Sequence, residues 1–179
     1  MADPRKILEN KLKHKFSEED LKDEIEHISL SDFLPIPWDR YFSAEAYIDT
    51  PDGKFHVFYV GSTGPICFLI HGAGYSAQTW CLFSKELLKE TNVRLVAIDL
   101  RGHGSTHTDN DSCLSKNLLV HDIIAIMDKV IMILDINEKI ILIGHRLSKI
   151  LCYVSLGGAL ATWVASGINE FKISCLIVI

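Results

Sequence analysis

Short apolar runs along this chain predict buried strands. Ile66 to Ile70 and Arg94 to Ile98 are nearly continuous apolar segments, of the length expected for strands that are covered on both faces. Lys139 to Ile143 and Ile173 to Ile179 repeat this pattern further along the chain. Strands of this kind are typical of parallel sheets, which have helices packed on either side.

The segments between these runs have the periodicity of helices. Ser76 is a candidate cap for a helix that places three apolar side chains on one face, namely Trp80, Phe83 and Leu87. A longer helix is predicted from about Ser115 to Leu134, with a polar face opposite its apolar one. The apolar positions of this longer helix recur at spacings of three and four: Leu119, Ile123, Ile126, Val130 and Leu134.

A hairpin and a further helix complete the predicted order of elements. Tyr47-Ile48 and Phe55 to Val60 flank the turn sequence Pro51-Asp52-Gly53, which is typical of a hairpin. Leu156 to Ala165 is the further helix candidate. Strands and helices therefore alternate, which predicts an α/β fold built on a mostly parallel sheet with flanking helices.

The domain organisation follows from where the charges lie. Residues 1–30 hold fourteen of the forty-one charged side chains, so residues 1–31 are expected to form a charged, flexible leader with one short helix that begins near Ser17. Residues 32–179 are expected to form one domain. Its first segment, Asp32 to Phe42, mixes two prolines with large apolar residues and is expected to be extended and packed on the domain.

Composition narrows the class of protein. The formal net charge of −5 and the pI near 5.9 argue against a nucleic-acid partner, which would require a basic surface. No run approaches about 18 apolar residues, so no membrane span is expected. The N-terminus lacks the apolar core of a secretory signal, and the five cysteines form no CxxC pair. We expect a protein of the cytoplasm or nucleus whose cysteine thiols are reduced and which has no zinc site.

Small and polar residues follow the first buried strand. The segment His71-Gly72-Ala73-Gly74-Tyr75-Ser76, called here the glycine loop, can expose backbone N–H groups toward a developing oxyanion. A tight turn that needs glycine for conformational reasons is an equally good interpretation. Phosphate binding is not supported because the Walker pattern and its lysine are absent.

A second loop of this kind, Asp99 to Thr106, follows the next buried strand. Asp99 and His103 invite a catalytic interpretation, but a structural one is favoured. On that interpretation Asp99 and Arg101 brace the turn, and His103 is a hydrogen-bonded loop histidine. His121 is expected to be a surface or core residue of the long helix.

The third strand end carries the most specific signal. Gly144-His145 follows the run Lys139 to Ile143, and Ser155-Leu156-Gly157 stands further on. The nine residues 146–154 separate the two. Without them the sequence reads Gly-His-Ser-Leu-Gly, the nucleophile elbow of serine hydrolases, in which a strained serine on a sharp turn requires glycine on either side.

These segments resemble the protein phosphatase methylesterases, which are serine esterases of the α/β-hydrolase fold. The resemblance covers about residue 32 to the end, and its Pro-Trp-x-x-Tyr-Phe segment is narrower in distribution than the elbow. The matching residues are Asp32-Phe33, Pro35, Pro37-Trp38, Tyr41-Phe42, Gly64-Pro65, His71-Gly72, Gly74, Ser76-Ala77, Trp80, Val96-Ala97, Asp99-Leu100-Arg101, His103-Gly104, Ile143-Gly144-His145, Ser155 and Gly157-Gly158-Ala159.

The resemblance implies hydrolysis of the methyl ester on the C-terminal leucine of the protein phosphatase 2A catalytic subunit, which would be both substrate and partner. It implies Ser155 as the nucleophile and the N–H groups of Ala73 and Leu156 as the oxyanion hole. His145 is expected to pack and to form hydrogen bonds under the elbow rather than to act as the base. No metal or organic cofactor is implied.

Two features depart from the family pattern. A helical insertion of nine residues would move Ser155 from the strand end by roughly 13 Å, whereas its hydroxyl must lie within about 3 Å of a base. Ser148 is not the expected nucleophile because no glycine follows it by two positions. The chain also stops before the loops that carry the acid and the histidine of the triad. We therefore expect a hydrolase domain truncated before its last strands, with impaired activity.

Two other functions remain open on the sequence. One is a noncatalytic protein that binds the phosphatase, which would capture that subunit and leave its methyl ester in place. The other is an α/β-hydrolase esterase for small molecules, which would cleave a p-nitrophenyl ester and not the methylated phosphatase.

Overall fold

A computed structural model describes residues 37–137, 139–145, 156–167 and 173–179. The leader with its predicted helix, the nine residues 146–154 and Ser155 lie outside the described residues. The strands are β1 (Ala44–Thr50), β2 (Gly53–Val60), β3 (Ile66–Ile70), β4 (Arg94–Ile98), β5 (His107–Thr108), β6 (Ile140–Gly144) and β7 (Ile173–Val178). The α-helices are α1 (Cys81–Glu90), α2 (Lys116–Ile133) and α3 (Leu156–Gly167).

The seven strands of the described ranges form one mixed sheet. Its order is β1-β2-β4-β3-β6-β7, and the short β5 pairs with β2. β1, β2 and β4 pair antiparallel, as the predicted hairpin requires, whereas β4, β3, β6 and β7 run parallel. The predicted α/β fold with a mostly parallel sheet and flanking helices is confirmed.

The periodicity located most elements closely. β3 and β4 coincide with the two predicted apolar runs, and every residue of β3 is buried. α2 spans the predicted helix, with Ser115 and Leu134 as its cap residues. The prediction of a polar opposite face for α2 is wrong at its C-terminal end, because Met132 and Ile133 are more than 60% exposed. Ser76 caps a 3₁₀ turn, Ala77–Trp80, and its side chain makes no capping hydrogen bond.

Two apolar layers cover the two faces of the sheet. On one face α2 and α3 bury alternate side chains of the central strands, such as Phe68 and Leu142, and on the other face Trp80 packs with Leu69 and Ile143. The segment that begins at Trp38 joins the second layer, since its Phe42 is buried and stacks on Phe58 of β2 at 5.0 Å. None of the helices in the described ranges is long and apolar enough to cross a bilayer.

Candidate active site

Three loops meet at one edge of the sheet. β4, β3 and β6 are neighbours and run parallel, so the segments that follow them leave the sheet on the same side. These segments are the second loop, the glycine loop and Gly144-His145. In an open α/β sheet, this carboxyl edge is where ligands bind. The structure therefore brings the three segments that the sequence singled out to one place.

The two halves of the interrupted elbow are in contact. A Cβ on Gly144 would lie 2.5 Å from the Gly157 carbonyl oxygen, and one on Gly157 would lie 2.5 Å from the carbonyl oxygen of Ile70. The Gly158 N–H donates to the His145 carbonyl at 3.1 Å. Residues on the two sides of the insertion, Gly144 with His145 and Gly157 with Gly158, are therefore in contact. Only glycine permits approaches this close. The predicted displacement of roughly 13 Å concerns Ser155, which lies outside the described residues.

His145 holds the elbow mainly through its backbone. Its N–H donates to the Ile70 carbonyl at 2.9 Å, which ties the end of β6 to the end of β3. Its half-buried ring contacts the rings of Tyr75 and Trp80 edge-on, at 5.6 and 5.9 Å. The Nδ1 atom is buried and has no hydrogen-bond partner among the described residues. The ring contacts fit the expected packing role, whereas the expected hydrogen bonding is not found at Nδ1.

The His71 side chain is fully buried and neutral. Its Nδ1–H donates to the Gly72 carbonyl at 2.8 Å, and its Nε2 accepts the Leu100 N–H at 3.1 Å. Burial lowers the pKa of His71 to about 4, with smaller effects from its neighbours. An imidazolium could not accept the Leu100 N–H, so this histidine joins the two loops and takes no part in proton transfer at neutral pH.

The Ala73 N–H is an unused donor of the glycine loop. The Gly74 N–H donates to His103 Nε2 at 3.2 Å, and the Tyr75 N–H donates to the Gly72 carbonyl at 3.2 Å. The N–H of the exposed Ala73 has no acceptor among the described residues. Leu156, the other predicted donor, is the first residue of α3, where a helix leaves its N–H groups without an intrahelical acceptor.

Asp99 is the structural brace that the sequence favoured. Its buried carboxylate accepts the Ala77 N–H at 2.7 Å and the Ser105 N–H at 3.0 Å, so it fixes both loops. Gly104 has a φ of 55° and leaves no room for a side chain beside this carboxylate. His103 Nδ1–H donates to the Arg101 carbonyl at 2.8 Å, which confirms a hydrogen-bonded loop histidine.

His56 is a residue of the site that the sequence pattern did not single out. This side chain on β2 is buried and contacts two carboxylates, with Nδ1 2.8 Å from Asp99 and Nε2 2.9 Å from Glu45. Burial lowers the pKa of His56, but the two hydrogen bonds and the negative charges raise it above its usual 6.5. The one available signal was a polar residue inside an apolar strand.

A buried ion pair holds the second loop to α2. Both nitrogens of one edge of the Arg101 guanidinium donate to Asp122 at 2.7 Å, and the two side chains are nearly inaccessible to solvent. Asp52, His121 and Asp122 are close enough to share a metal ion. Both Asp122 oxygens already accept hydrogen bonds from a cation, so the group does not fit a metal site.

The comparisons with known proteins place this arrangement in a class. A model of the "Alpha/beta hydrolase family" matches residues 67–179. The chain superimposes with a TM-score of 0.62 on potato (Solanum tuberosum) epoxide hydrolase I, at 22% identity over 75% of this chain and 39% of that one. This chain belongs to the α/β hydrolase family.

Within that family, the chain is similar to curated protein phosphatase methylesterases. "Protein phosphatase methylesterase 1" of Bos taurus is 37% identical over 139 residues, 75% of this chain and 34% of the relative. "Probable protein phosphatase methylesterase 1" of Caenorhabditis elegans is 37% identical over 146 residues, 80% of this chain and 37% of the relative. The predicted resemblance is confirmed. The chain spans about a third of the length of these relatives.

Proposed function

We propose that this chain carries the nucleophile and the oxyanion donors of a serine carboxylesterase, and that it acts on the methyl ester of the C-terminal leucine of the protein phosphatase 2A catalytic subunit. The contact between Gly144 and Gly157 carries the proposal, because it joins the two halves of the Gly-x-Ser-x-Gly elbow. The similarity to phosphatase methylesterases supports the substrate. We propose the cytoplasm or nucleus as the location.

The chemistry is acyl transfer to Ser155. Its oxygen attacks the ester carbonyl, and the bond to the methoxy group breaks as methanol leaves with a proton. Water then cleaves the acyl-serine and releases the leucine carboxylate. The Ala73 and Leu156 N–H groups would stabilise the oxyanion, and one such donor contributes about 10²–10³ in kcat. The nine residues 146–154 interrupt the elbow motif, so we expect slow turnover.

Release of methanol from a methylated C-terminal peptide of the phosphatase subunit tests this proposal. The chain should release methanol faster than buffer, and Ser155→Ala should abolish that excess. Ser148→Ala is the matched control, since it removes a serine from the same stretch of sequence, and its rate should equal that of the wild type. An unchanged rate in Ser155→Ala would remove this serine from the mechanism.

Deletion of residues 146–154 is a second test of the elbow. It joins His145 directly to Ser155 and restores the uninterrupted motif. Gly158 in α3 already donates a hydrogen bond to the His145 carbonyl at the end of β6, so we expect that closing the gap requires little movement of β6 or α3. We expect faster methanol release and slower proteolysis. A slower release than that of the intact chain would count against the elbow.

The interruption of the elbow motif by nine residues favours one alternative, a noncatalytic protein that binds the phosphatase. This function predicts that the immobilised chain retains the purified, methylated catalytic subunit. It also predicts that the methyl ester survives, as intact-mass spectrometry of the retained subunit would show. Loss of the methyl group during retention would exclude it.

A further inference from the structure

His56 lies between two carboxylates that favour its protonated state. Its Nδ1 is 2.8 Å from Asp99 Oδ2, and its Nε2 is 2.9 Å from Glu45 Oε2. An ionised carboxylate accepts hydrogen bonds and has none to donate. Both contacts are therefore hydrogen bonds only when both ring nitrogens carry a proton. The geometry describes a buried imidazolium held by two anions.

The other side of Asp99 reaches the candidate active site. Its Oδ1 accepts the N–H of Ala77, which directly follows the glycine loop, and its Oδ2 accepts the N–H of Ser105 in the second loop. His56 shares Oδ2 with Ser105. A charge on His56 therefore acts on the same carboxylate that fixes both loops, within a buried network where electrostatic effects are strong.

His56 connects a partly exposed carboxylate to the two loops of the candidate active site. From β1 it faces the Glu45 carboxylate, whose side chain is 43% exposed, and the Tyr47 ring at 5.0 Å. From β2 it faces the edge of the Phe58 ring at 4.5 Å, and beyond β4 it faces Asp99. Its own backbone N–H donates to Thr106 Oγ1 at 3.0 Å. Glu45 is therefore the outer end of a chain of polar contacts that ends at Ala77.

We propose that His56 is a proton-sensitive positioning residue of this hydrolase. As an imidazolium it holds the Asp99 carboxylate against the Ala77 and Ser105 amides, and its deprotonation loosens the glycine loop that presents the Ala73 N–H. Only the role of Ala73 rests on the proposed function. The coupling of His56 to the two amides does not.

The direction of the pH effect follows from linkage. Burial lowers the pKa of His56, and the bonds to Asp99 and Glu45 more than reverse this, so its pKa lies above 6.5. The stabilisation by the imidazolium is therefore complete below pH 6.5 and is lost as the pH rises through the folded-state pKa. Burial raises the pKa of Asp99, but its hydrogen bonds to His56, Ala77 and Ser105 lower it below 3.8, so Asp99 stays ionised in this range.

Nuclear magnetic resonance titration of the isotopically labelled chain tests the coupling without any assay of activity. The His56 ring proton and the amide protons of Ala77 and Ser105 should titrate together, with one midpoint above pH 6.5. The Gly158 amide, which donates to the His145 carbonyl, should not follow them. A His56 midpoint below pH 6.5 would overturn the proposal. So would Ala77 and Ser105 amide shifts that do not change as His56 titrates.

Three variants sharpen the test. His56→Gln should abolish the titration of both amides, and His56→Arg should keep them at their low-pH shifts because arginine stays charged. His121→Gln is the matched control, since it removes an exposed histidine that also pairs with an aspartate, Asp52, and it should leave the titration unchanged. The wild-type titration is decisive by itself if a His56 variant does not fold.

Methanol release measured against pH separates this proposal from the proposed function. If the chain is an esterase, kcat should fall as His56 loses its proton, and His56→Arg should remove that fall. A chain without activity whose Ala77 and Ser105 amides still titrate with His56 would refute the esterase and leave the positioning role intact. An active chain whose kcat ignores the titration would refute the positioning role alone.

Discussion

Gly144 and Gly157 approach each other more closely than any other residue type would allow. The closest neighbours of a Cβ on Gly157 would be the carbonyl oxygens of Ile70 and His71, at 2.5 and 2.6 Å. Both belong to the backbone at the end of β3, which cannot move aside as a flexible side chain can. Each glycine is therefore a steric requirement of the elbow.

Gly157→Ala should destabilise the fold by roughly 1–3 kcal/mol, the usual cost of overpacking. The free energy of urea unfolding measures this change. Gly167→Ala, in the same helix, is the control because a Cβ there meets nothing within 4 Å, and its stability should be equal or slightly greater. Equal stability of Gly157→Ala and the wild type would show that the elbow is looser than the structure indicates.

The Arg101–Asp122 pair is a second feature at the scale of single residues. Asp122→Ala should cost about 3–5 kcal/mol, because it leaves a buried guanidinium without its partner. The double variant Arg101→Met with Asp122→Leu should recover most of that loss. Breaking the exposed pair of Lys89 and Glu86 by Glu86→Gln should change urea unfolding little. If the loss of stability in the double variant equalled the sum of the losses in the two single variants, the pairing would be contradicted.

Among the elements, α2 combines a buried face with an exposed apolar end. Leu119, Ile123 and Ile126 are fully buried against the sheet, whereas Met132 and Ile133 near its C-terminus face solvent. The core side of the helix should therefore carry most of its contribution to stability.

Ile126→Ala should cost about 2–5 kcal/mol of unfolding free energy, through lost burial and the cavity left behind. Met132→Ala should change it by less than about 0.5 kcal/mol, since this side chain is 66% exposed. Thermal and urea unfolding measure both variants. A larger loss at Met132 than at Ile126 would reverse the assignment of the two faces.

At the scale of the whole molecule, two buried histidines give the stability opposite dependences on pH. His56 is held charged, and its contribution is lost as the pH rises. His71 is held neutral, because burial lowers its pKa to about 4. Below pH 6.5 the unfolded chain protonates this residue and the folded chain does not, so its contribution is lost as the pH falls from 6.5 to about 4.

Urea unfolding between pH 7 and 4 should show the effect of His71. A tenfold change in the protonation equilibrium constant corresponds to about 1.4 kcal/mol. The fall in the pKa of His71 from 6.5 to about 4 therefore corresponds to about 3 kcal/mol of unfolding free energy. His71→Gln should lose less stability than the wild type over this range, although it is less stable at pH 7. His107→Gln, at an exposed position, should follow the wild type. Parallel curves for wild type and His71→Gln would refute the buried neutral histidine.

The sequence determined the elements whose pattern is local. Continuous apolar runs located β3 and β4 residue by residue, and the spacing of apolar residues located α2, because burial on both faces or on one helical face dictates residue type directly. The sequence also indicated the elbow, because Gly144, Ser155 and Gly157 have the spacing of the Gly-x-Ser-x-Gly motif once residues 146–154 are left out. It gave no sign of β5, whose two polar residues form a strand only because β2 lies beside them.

Only the tertiary structure decided which polar groups meet. The contact of Gly144 with Gly157 bridges the nine residues between the two halves of the elbow, and the bond of His56 to Asp99 joins positions 43 residues apart. Such pairs leave no periodic trace in the chain, because a polar residue can satisfy its hydrogen bonds in many ways. The order of the strands in the sheet decides which of these hydrogen bonds forms.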